Sequence, residues 1–480
     1  MSLNRVLSAC FLTFGLGGVV FADVELPKVF TSHMVLQRDR AVAMWGWADP
    51  GEEVTVKFAG QSTTAQTDSR GRWRLTLKPM AASAESRTLS VQGRNRITLA
   101  DVLVGDVWLA SGQSNMNRPV GAKAIEGAAH PNLRLFTTNG KIPRQERLND
   151  TVGWVICTPQ TIATCGDIVG KNGRRRPFSE VAYEFSRRVH RKTGTPVGII
   201  HTSMGGSTAK DWTPNPDIAM QHPFDQDHGD VRHKWGIVYQ SRLRGLVPYT
   251  LRGVVWYQGE DDGRNRRYGE ELEAMILKWR RLWSDPDLPF YMAQIAQTTY
   301  AGGMLSVWEA QQRVAAKLPH TGIAPSNDLM DAGQPDRLKR EKNTGWPIAG
   351  GGNPHPPNKA IVANRLADIA LARTYGLLER EVFGPTYASH RFEGNKCLVV
   401  FKYVGKGLTV QGNLPLTWFE LSADGRTFVK AKAKIVDQST VELVADDLHA
   451  PRLVRFAWHP LARHNLYNRE GLPAHPFRTR

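Results

Sequence analysis

Four short polar segments carry residue types that acyl-transfer chemistry needs, and each follows or opens an apolar element. In the run Val107-Trp108-Leu109-Ala110-Ser111-Gly112-Gln113-Ser114-Asn115-Met116, a strand-like stretch ends in a glycine turn that presents Ser114. A serine hydroxyl attacks a carbonyl when a base takes its proton and backbone N–H groups hold the developing oxyanion. A serine after a glycine also caps helices, so this segment says little by itself. Thr202-Ser203-Met204-Gly205-Gly206-Ser207 follows the apolar stretch 197–201, and its paired glycines let a backbone N–H approach a ligand closely, as an ordinary turn also would. Val254-Val255-Trp256-Tyr257-Gln258-Gly259-Glu260 ends on a side-chain amide, Gln258, that could donate to an oxyanion, while Glu260 reads as a structural acceptor. The fourth segment, Asn353-Pro354-His355-Pro356-Pro357-Asn358-Lys359, holds His355 between prolines at the start of a helix. A histidine fixed in this way suits a general base, although a lone exposed histidine is more often incidental.

Taken in order, the GQSNM, SMGGSTAKDW, VVWYQGE and HPPNK segments resemble those of the sialate O-acetylesterase family. The likeness extends to Val35-Leu36-Gln37-Arg38, to Ser179-Glu180-Val181-Ala182-Tyr183 and to the stretch from Asn465 to Ala474. The resemblance implies a catalytic domain of the SGNH-hydrolase type flanked by β-domains, and a Ser–His hydrolase that removes O-acetyl groups from sialic acid or related sugars. It assigns Ser114 as nucleophile and His355 as general base. The Ser114 N–H, a glycine of the Gly205–Gly206 pair and the Gln258 side chain would hold the oxyanion, and no metal or organic cofactor is implied. One departure stands out. SGNH-type sites usually carry an aspartate two or three residues before the histidine, where this chain has Asn353 and Gly352. Asp328, followed by what reads as an insertion from Leu329 to Gly352, is one source of the third group; a backbone carbonyl or Asn353 is another. The missing aspartate also leaves open a catalytically impaired sugar-binding protein on the same scaffold, and acetylated xylan or pectin remains an alternative substrate.

The elements that must position these residues are of two kinds. From 23 to 100, short alternating segments such as Glu53-Val54-Thr55-Val56-Lys57-Phe58 and Arg72-Trp73-Arg74-Leu75-Thr76-Leu77 predict a small β-sandwich. From 101 to 376, apolar strands alternate with helical spacing at 179–191, 268–283, 308–317 and 358–375, which predicts α/β architecture: a mostly parallel sheet in a three-layer domain. All four polar segments then lie at strand or helix ends of that domain, where open α/β sheets bind ligands. From 377 to 480 the β pattern returns, with a hairpin signal at Ala423-Asp424-Gly425, and predicts a second β-sandwich-like domain.

A chain of 480 residues, 41% hydrophobic and 22% charged, is large enough for two or three such domains and excludes a disordered protein. Arg5, the apolar run 6–20 and Val20-Phe21-Ala22 form a signal-peptide pattern over residues 1–22, which predicts a secreted or periplasmic protein. A lipoprotein box at Leu7-Ser8-Ala9-Cys10 is the weaker alternative, since its apolar run lies on the wrong side of Cys10. No later stretch approaches the ~20 apolar residues of a membrane span. Cys157 and Cys165 either pair in an oxidising compartment or remain buried thiols, and Cys397 reads as core. The formal charge of +17 admits nucleic acid, but no such fold motif is present and the basic residues are scattered; the expected partner is an acetylated carbohydrate. Arg174-Arg175-Arg176 reads as a solvated loop, with attraction to an anionic polysaccharide as its functional alternative. His222, Asp225, Asp227, His228, Asp230 and His233 match no zinc spacing and read as a polar surface loop. Trp212 is read either as part of a sugar pocket or as core.

Overall fold

The computed structural model describes residues 23–138, 151, 153–167, 174–214, 235–330, 339–342, 345–349, 352–446 and 448–480. The signal-peptide segment and the histidine- and aspartate-rich stretch 222–233 lie outside them.

One long strand, β1 (Arg96–Gly112), organises the molecule. Its first half is amphipathic and pairs antiparallel with Ser83–Gln92, inside an N-terminal sheet that also holds Glu53–Phe58 and Gln61–Gln66. From Val102 to Gly112 every residue is buried, and this half forms the centre of a seven-stranded sheet. The remaining strands are β2 (His130–Thr137), β3 (Val155–Cys157), β4 (Val197–Ser203), β5 (Gly253–Tyr257), β6 (Phe290–Ala293) and β7 (Thr321–Ala324). Their order is β7-β6-β5-β1-β4-β2-β3, and all neighbours are parallel except the edge pair β2–β3. The boundary expected near residue 100 therefore falls inside a continuous strand that passes from one sheet into the next.

Alternation along the central strands sorts their side chains into two cores. Val107, Leu109, Val254, Trp256, Phe290 and Met292 point to one face, which α2 (Tyr268–Leu282) and α3 (Met304–Lys317) cover. Trp108, Ala110, Val255, Tyr257, Tyr291 and Ala293 point to the other, under α1 (Glu180–Thr193) and α4 (Lys359–Arg373). Both faces of a parallel sheet must be covered, which is why these strands read as unbroken apolar runs rather than alternating ones. Ser179 caps α1 by accepting from the Ala182 N–H at 3.1 Å, and Asn358 caps α4. The first core runs on without a break into the N-terminal β layer, where Val54, Val56 and Phe58 face Met44, Trp73, Leu75 and Leu77.

The C-terminal segment forms two four-stranded antiparallel sheets around their own core of Val399, Phe401, Phe419, Leu421 and Phe456. It is tied to the central domain by buried polar contacts: Asn327 Nδ2 meets His464 Nε2 at 2.8 Å and donates to the Ala474 carbonyl at 3.0 Å. Cys157, Cys165 and Cys397 are buried free thiols, and burial pushes each of them up to about 12. Among the described residues no helix is long and apolar enough to cross a membrane, and no group of three or more potential metal ligands occurs.

Candidate active site

The carboxyl ends of β1, β4 and β5 converge, and the turns leaving them build the site. Gly112 closes β1 with φ of +141°, where a Cβ would run into the Tyr257 carbonyl, so only glycine permits this turn. The next peptide is stitched to both neighbouring strands: the Gln113 N–H donates to Tyr257 O at 3.0 Å, and the Met204 N–H donates to Gly112 O at 3.0 Å. Ser114 is thereby fixed at the crest of the sheet, half-buried, with Gly205 packed against it. A Cβ on Gly205 would lie 3.6 Å from that of Ser114. Among the described residues the backbone N–H groups of Ser114, Gly205 and Gly206 have no hydrogen-bond partner, and of the two glycines it is Gly205 that lies against the serine.

His355 meets Ser114 from the loop that opens α4. Its Nε2 lies 2.8 Å from Ser114 Oγ, and its Nδ1 lies 3.0 Å from Asn353 Oδ1. An amide oxygen can only accept, so Nδ1 carries the proton and Nε2 is free to accept from the serine hydroxyl. The same Asn353 oxygen accepts from the His355 backbone N–H at 3.0 Å, which fixes ring and main chain together. Burial, with the nearby cations Arg118 and Lys359, holds His355 down at about 4, so the imidazole is neutral around pH 7.

Two sequence-predicted residues do other work. Asp328 does not reach His355: both its oxygens are held by Arg365 of α4, at 2.8 and 2.7 Å. A carboxylate four residues beyond β7 and a guanidinium nearly two turns into α4 form a bidentate pair, which anchors the helix rather than the imidazole. The orienting partner of His355 is Asn353, one of the alternatives to Asp328. Gln258 is fully buried at the end of β5, but its amide donates away from the serine, to Ser207 O at 3.0 Å and to Asp262 Oδ2 at 2.6 Å. Both amide hydrogens are occupied, so no donor is left for an oxyanion. Asp262 also accepts from the Ala209 N–H at 2.9 Å and from Asn265 Nδ2 at 2.9 Å. Gln258 and Asp262 thus hold the loop that carries Gly205 and Gly206, and Gly206 takes the left-handed conformation at φ +75°. Trp212 is core: it packs edge-on against Trp256 and Trp279, and its Nε1 donates to Ser207 Oγ at 2.8 Å. Asp211 is likewise buried, bonded to the Thr208 N–H at 2.7 Å.

Beneath the Ser–His pair lies a buried polar group that the sequence did not single out as a unit. Asn115 donates to Glu260 Oε1 and, at 2.9 Å, to the Pro354 carbonyl, and accepts from Lys359 Nζ. Burial raises Glu260 to about 7 and lowers Lys359 to about 7, each against the opposing pull of the other's charge. The signal was present in the motifs, since Asn115 adjoins Ser114 and Lys359 closes the segment containing His355, but nothing in the spacing joins the two.

A family model for carbohydrate esterases, sialic acid-specific acetylesterase, matches residues 104–341. The sialate O-acetylesterase of Homo sapiens is 26% identical over 90% of this chain and 87% of its own length. That of Mus musculus is 26% identical over 74% of each. A solved carbohydrate acetylesterase from Xanthomonas citri is 30% identical, superposes with a TM-score of 0.81, and covers 95% of this chain and 100% of its own.

Proposed function

The chain belongs to the sialate O-acetylesterase family of carbohydrate esterases, and is therefore a carboxylic ester hydrolase; from that premise we propose that it removes O-acetyl groups from sialic acid or a related acetylated sugar through an acyl-enzyme on Ser114. The observation that carries this reading is the hydrogen-bonded series Ser114–His355–Asn353, with Gly205 packed against the serine and, among the described residues, no partner for the N–H groups of either. We further propose an SGNH-type domain, on the grounds that the serine and the glycine turn leave the carboxyl ends of two adjacent parallel strands, β1 and β4, and the histidine comes from the loop that opens α4 on the same domain.

In the first step His355 Nε2 takes the Ser114 proton as Oγ attacks the acetyl carbonyl, and the N–H groups of Ser114 and Gly205 hold the oxyanion. The proton on Nε2 passes to the departing sugar oxygen as the C–O bond breaks, which leaves acetyl-Ser114 and a free sugar hydroxyl. His355 then takes a proton from water, the hydroxide adds to the acyl carbon, and collapse returns the proton to Ser114 and releases acetate. Asn353 keeps the imidazole in the tautomer that can accept. Unlike an aspartate, it places no negative charge beside the imidazolium formed in each half-reaction. The signal-peptide pattern supports export of the protein.

The purified protein is expected to release acetate from p-nitrophenyl acetate, and Ser114→Ala to abolish that release. Turnover at the wild-type rate in the variant would sink the assignment. A parallel screen of acetylated sialosides, xylan and pectin identifies the sugar.

A further inference from the structure

Both N–H donors and the oxygen of the Asn115 side chain are engaged, and each goes to a different part of the site. Its two N–H donors reach Glu260, in the turn after β5, and the Pro354 carbonyl; its oxygen receives Lys359, the first residue of α4. Asn115, Glu260 and Lys359 are all at most 1% exposed. Pro354 immediately precedes His355, so a closed circuit runs from Ser114 Oγ to the His355 ring, back along the chain to the Pro354 carbonyl, across to the Asn115 amide and so to Ser114 again. Both ends of the histidine segment, Pro354 and Lys359, grip the amide of the residue next to the nucleophile. The Lys359 ammonium also lies 5.6 Å from the centre of the Tyr257 ring, the last residue of β5.

Stability alone is a poor account of this group. A lysine and a glutamate buried together return little net energy compared with apolar packing of the same volume. What the circuit does supply is geometric: among the described residues, the Asn115 bonds and the Ser114–His355 pair are the side-chain hydrogen bonds that set the distance between the two loops.

We propose that Asn115, clamped by Lys359 and Glu260, is a positioning residue for the reaction: it sets the Ser114–His355 geometry through the Pro354 carbonyl. The proposal rests on the Ser–His reading above. Other charges face the group. Arg118 and Glu180 act on Lys359, Asp261 acts on Glu260, and Arg118 also acts on His355.

The test compares Asn115→Asp, Lys359→Met and Ser114→Ala in the full chain, by kcat and KM for p-nitrophenyl acetate, the pH dependence of kcat/KM and the thermal unfolding midpoint. Asn115→Asp keeps the shape and the acceptor for Lys359 while removing both donors. It is expected to lower kcat by roughly 10²-fold with KM changed by less than about twofold, the signature of misplaced reacting groups. Lys359→Met keeps the aliphatic stem; it is expected to lower kcat about tenfold. It should also move the acid limb of kcat/KM to higher pH, because a cation that depresses His355 is gone. Folded variants with wild-type kcat overturn the proposal. If Asn115→Asp fails to fold, Lys359→Met decides alone, and a wild-type kcat there overturns it too. Turnover in Ser114→Ala overturns the esterase reading and this proposal with it, whereas an inactive Ser114→Ala beside wild-type behaviour in the other two overturns this proposal only.

Discussion

Replacing Asn353 by aspartate adds one negative charge to the site and changes almost nothing else. The oxygen that accepts from His355 Nδ1 and from its backbone N–H is retained, and Asn353 Nδ2 has no partner to lose among the described residues. At the observed 3.0 Å, a unit negative charge attracts an imidazolium by about 1.4 kcal/mol in water and by about 5–6 kcal/mol at an effective dielectric of ~20. At about 1.4 kcal/mol per pKa unit, these limits bracket a rise of roughly one to four units. Asn353 is exposed, so screening places the shift at the low end, about one unit above the present value near 4. The assay is kcat/KM for p-nitrophenyl acetate between pH 3.5 and 8, with the fold checked by circular dichroism at each point. Asn353→Asp should move the acid limb up by about one unit and raise the plateau a few-fold, because a more basic imidazole abstracts the serine proton more readily. Asn353→Ala should lower the plateau by about tenfold or more through loss of the accepting tautomer. An unmoved limb in the first variant together with an unchanged plateau in the second would refute Asn353 as the orienting group.

Two further expectations concern groups whose roles the structure reassigns or reveals. Gln258→Ala leaves Asp262 and the Ser207 carbonyl short of a buried donor, and should cost about 1–3 kcal/mol in chemical denaturation. The kcat of the folded variant should fall by less than the ~10²–10³-fold typical of a lost oxyanion donor, and a larger drop at unchanged stability would restore that role to Gln258. The fold should also weaken in mild acid. Burial lowers His201 and His464 to about 4 and His475 to about 3, whereas each titrates near 6.5 when unfolded. The unfolded chain therefore takes up protons first, so their contribution is intact above about pH 6.5 and is lost as pH falls toward 4. A denaturation midpoint that stays constant from pH 8 to pH 4.5 would contradict this.

The parts of the site that were legible in the sequence are those whose position follows from local chain geometry. Ser114 sits where an apolar strand meets a glycine, and His355 sits in a proline-stiffened loop before a capped helix, so each announces its own placement. The direction of a long side chain carries no such local mark. Gln258 stands at a strand end in either case; whether it donates to the serine side or to Asp262 depends on where the loop from Ser207 to Trp212 packs. Asp328 likewise lies just past a strand end, where a catalytic carboxylate would suit, but its partner is Arg365, reached only once α4 is docked. The domain boundary was blurred for a related reason. Composition changes near residue 100 because β1 goes from a sheet with one exposed face to one covered on both, and the backbone continues through the change.

The pairing of a neutral orienter with two nearby cations has a consequence for how such a site must work. Burial, with Arg118 and Lys359 adding to it, depresses His355, and Asn353 fixes its tautomer without offsetting them. An imidazole that titrates near 4 is deprotonated across the neutral range, so no active enzyme is lost to the wrong protonation state, but it is a weaker base and its imidazolium is less well stabilised. Rate must then come from the terms that do not depend on basicity: the distance between Ser114 and His355 and the placement of the N–H groups around the oxyanion. Those are the features the fold over-determines. Gly112 is pinned to two strands, the Gly205 loop is held by Gln258 and Asp262, and the His355 segment is gripped at both ends by one buried amide. On this reading, loosening any of these anchors should lower kcat more in this chain than in a variant supplied with the carboxylate at position 353, and the double variant Asn353→Asp with Lys359→Met measures that coupling directly.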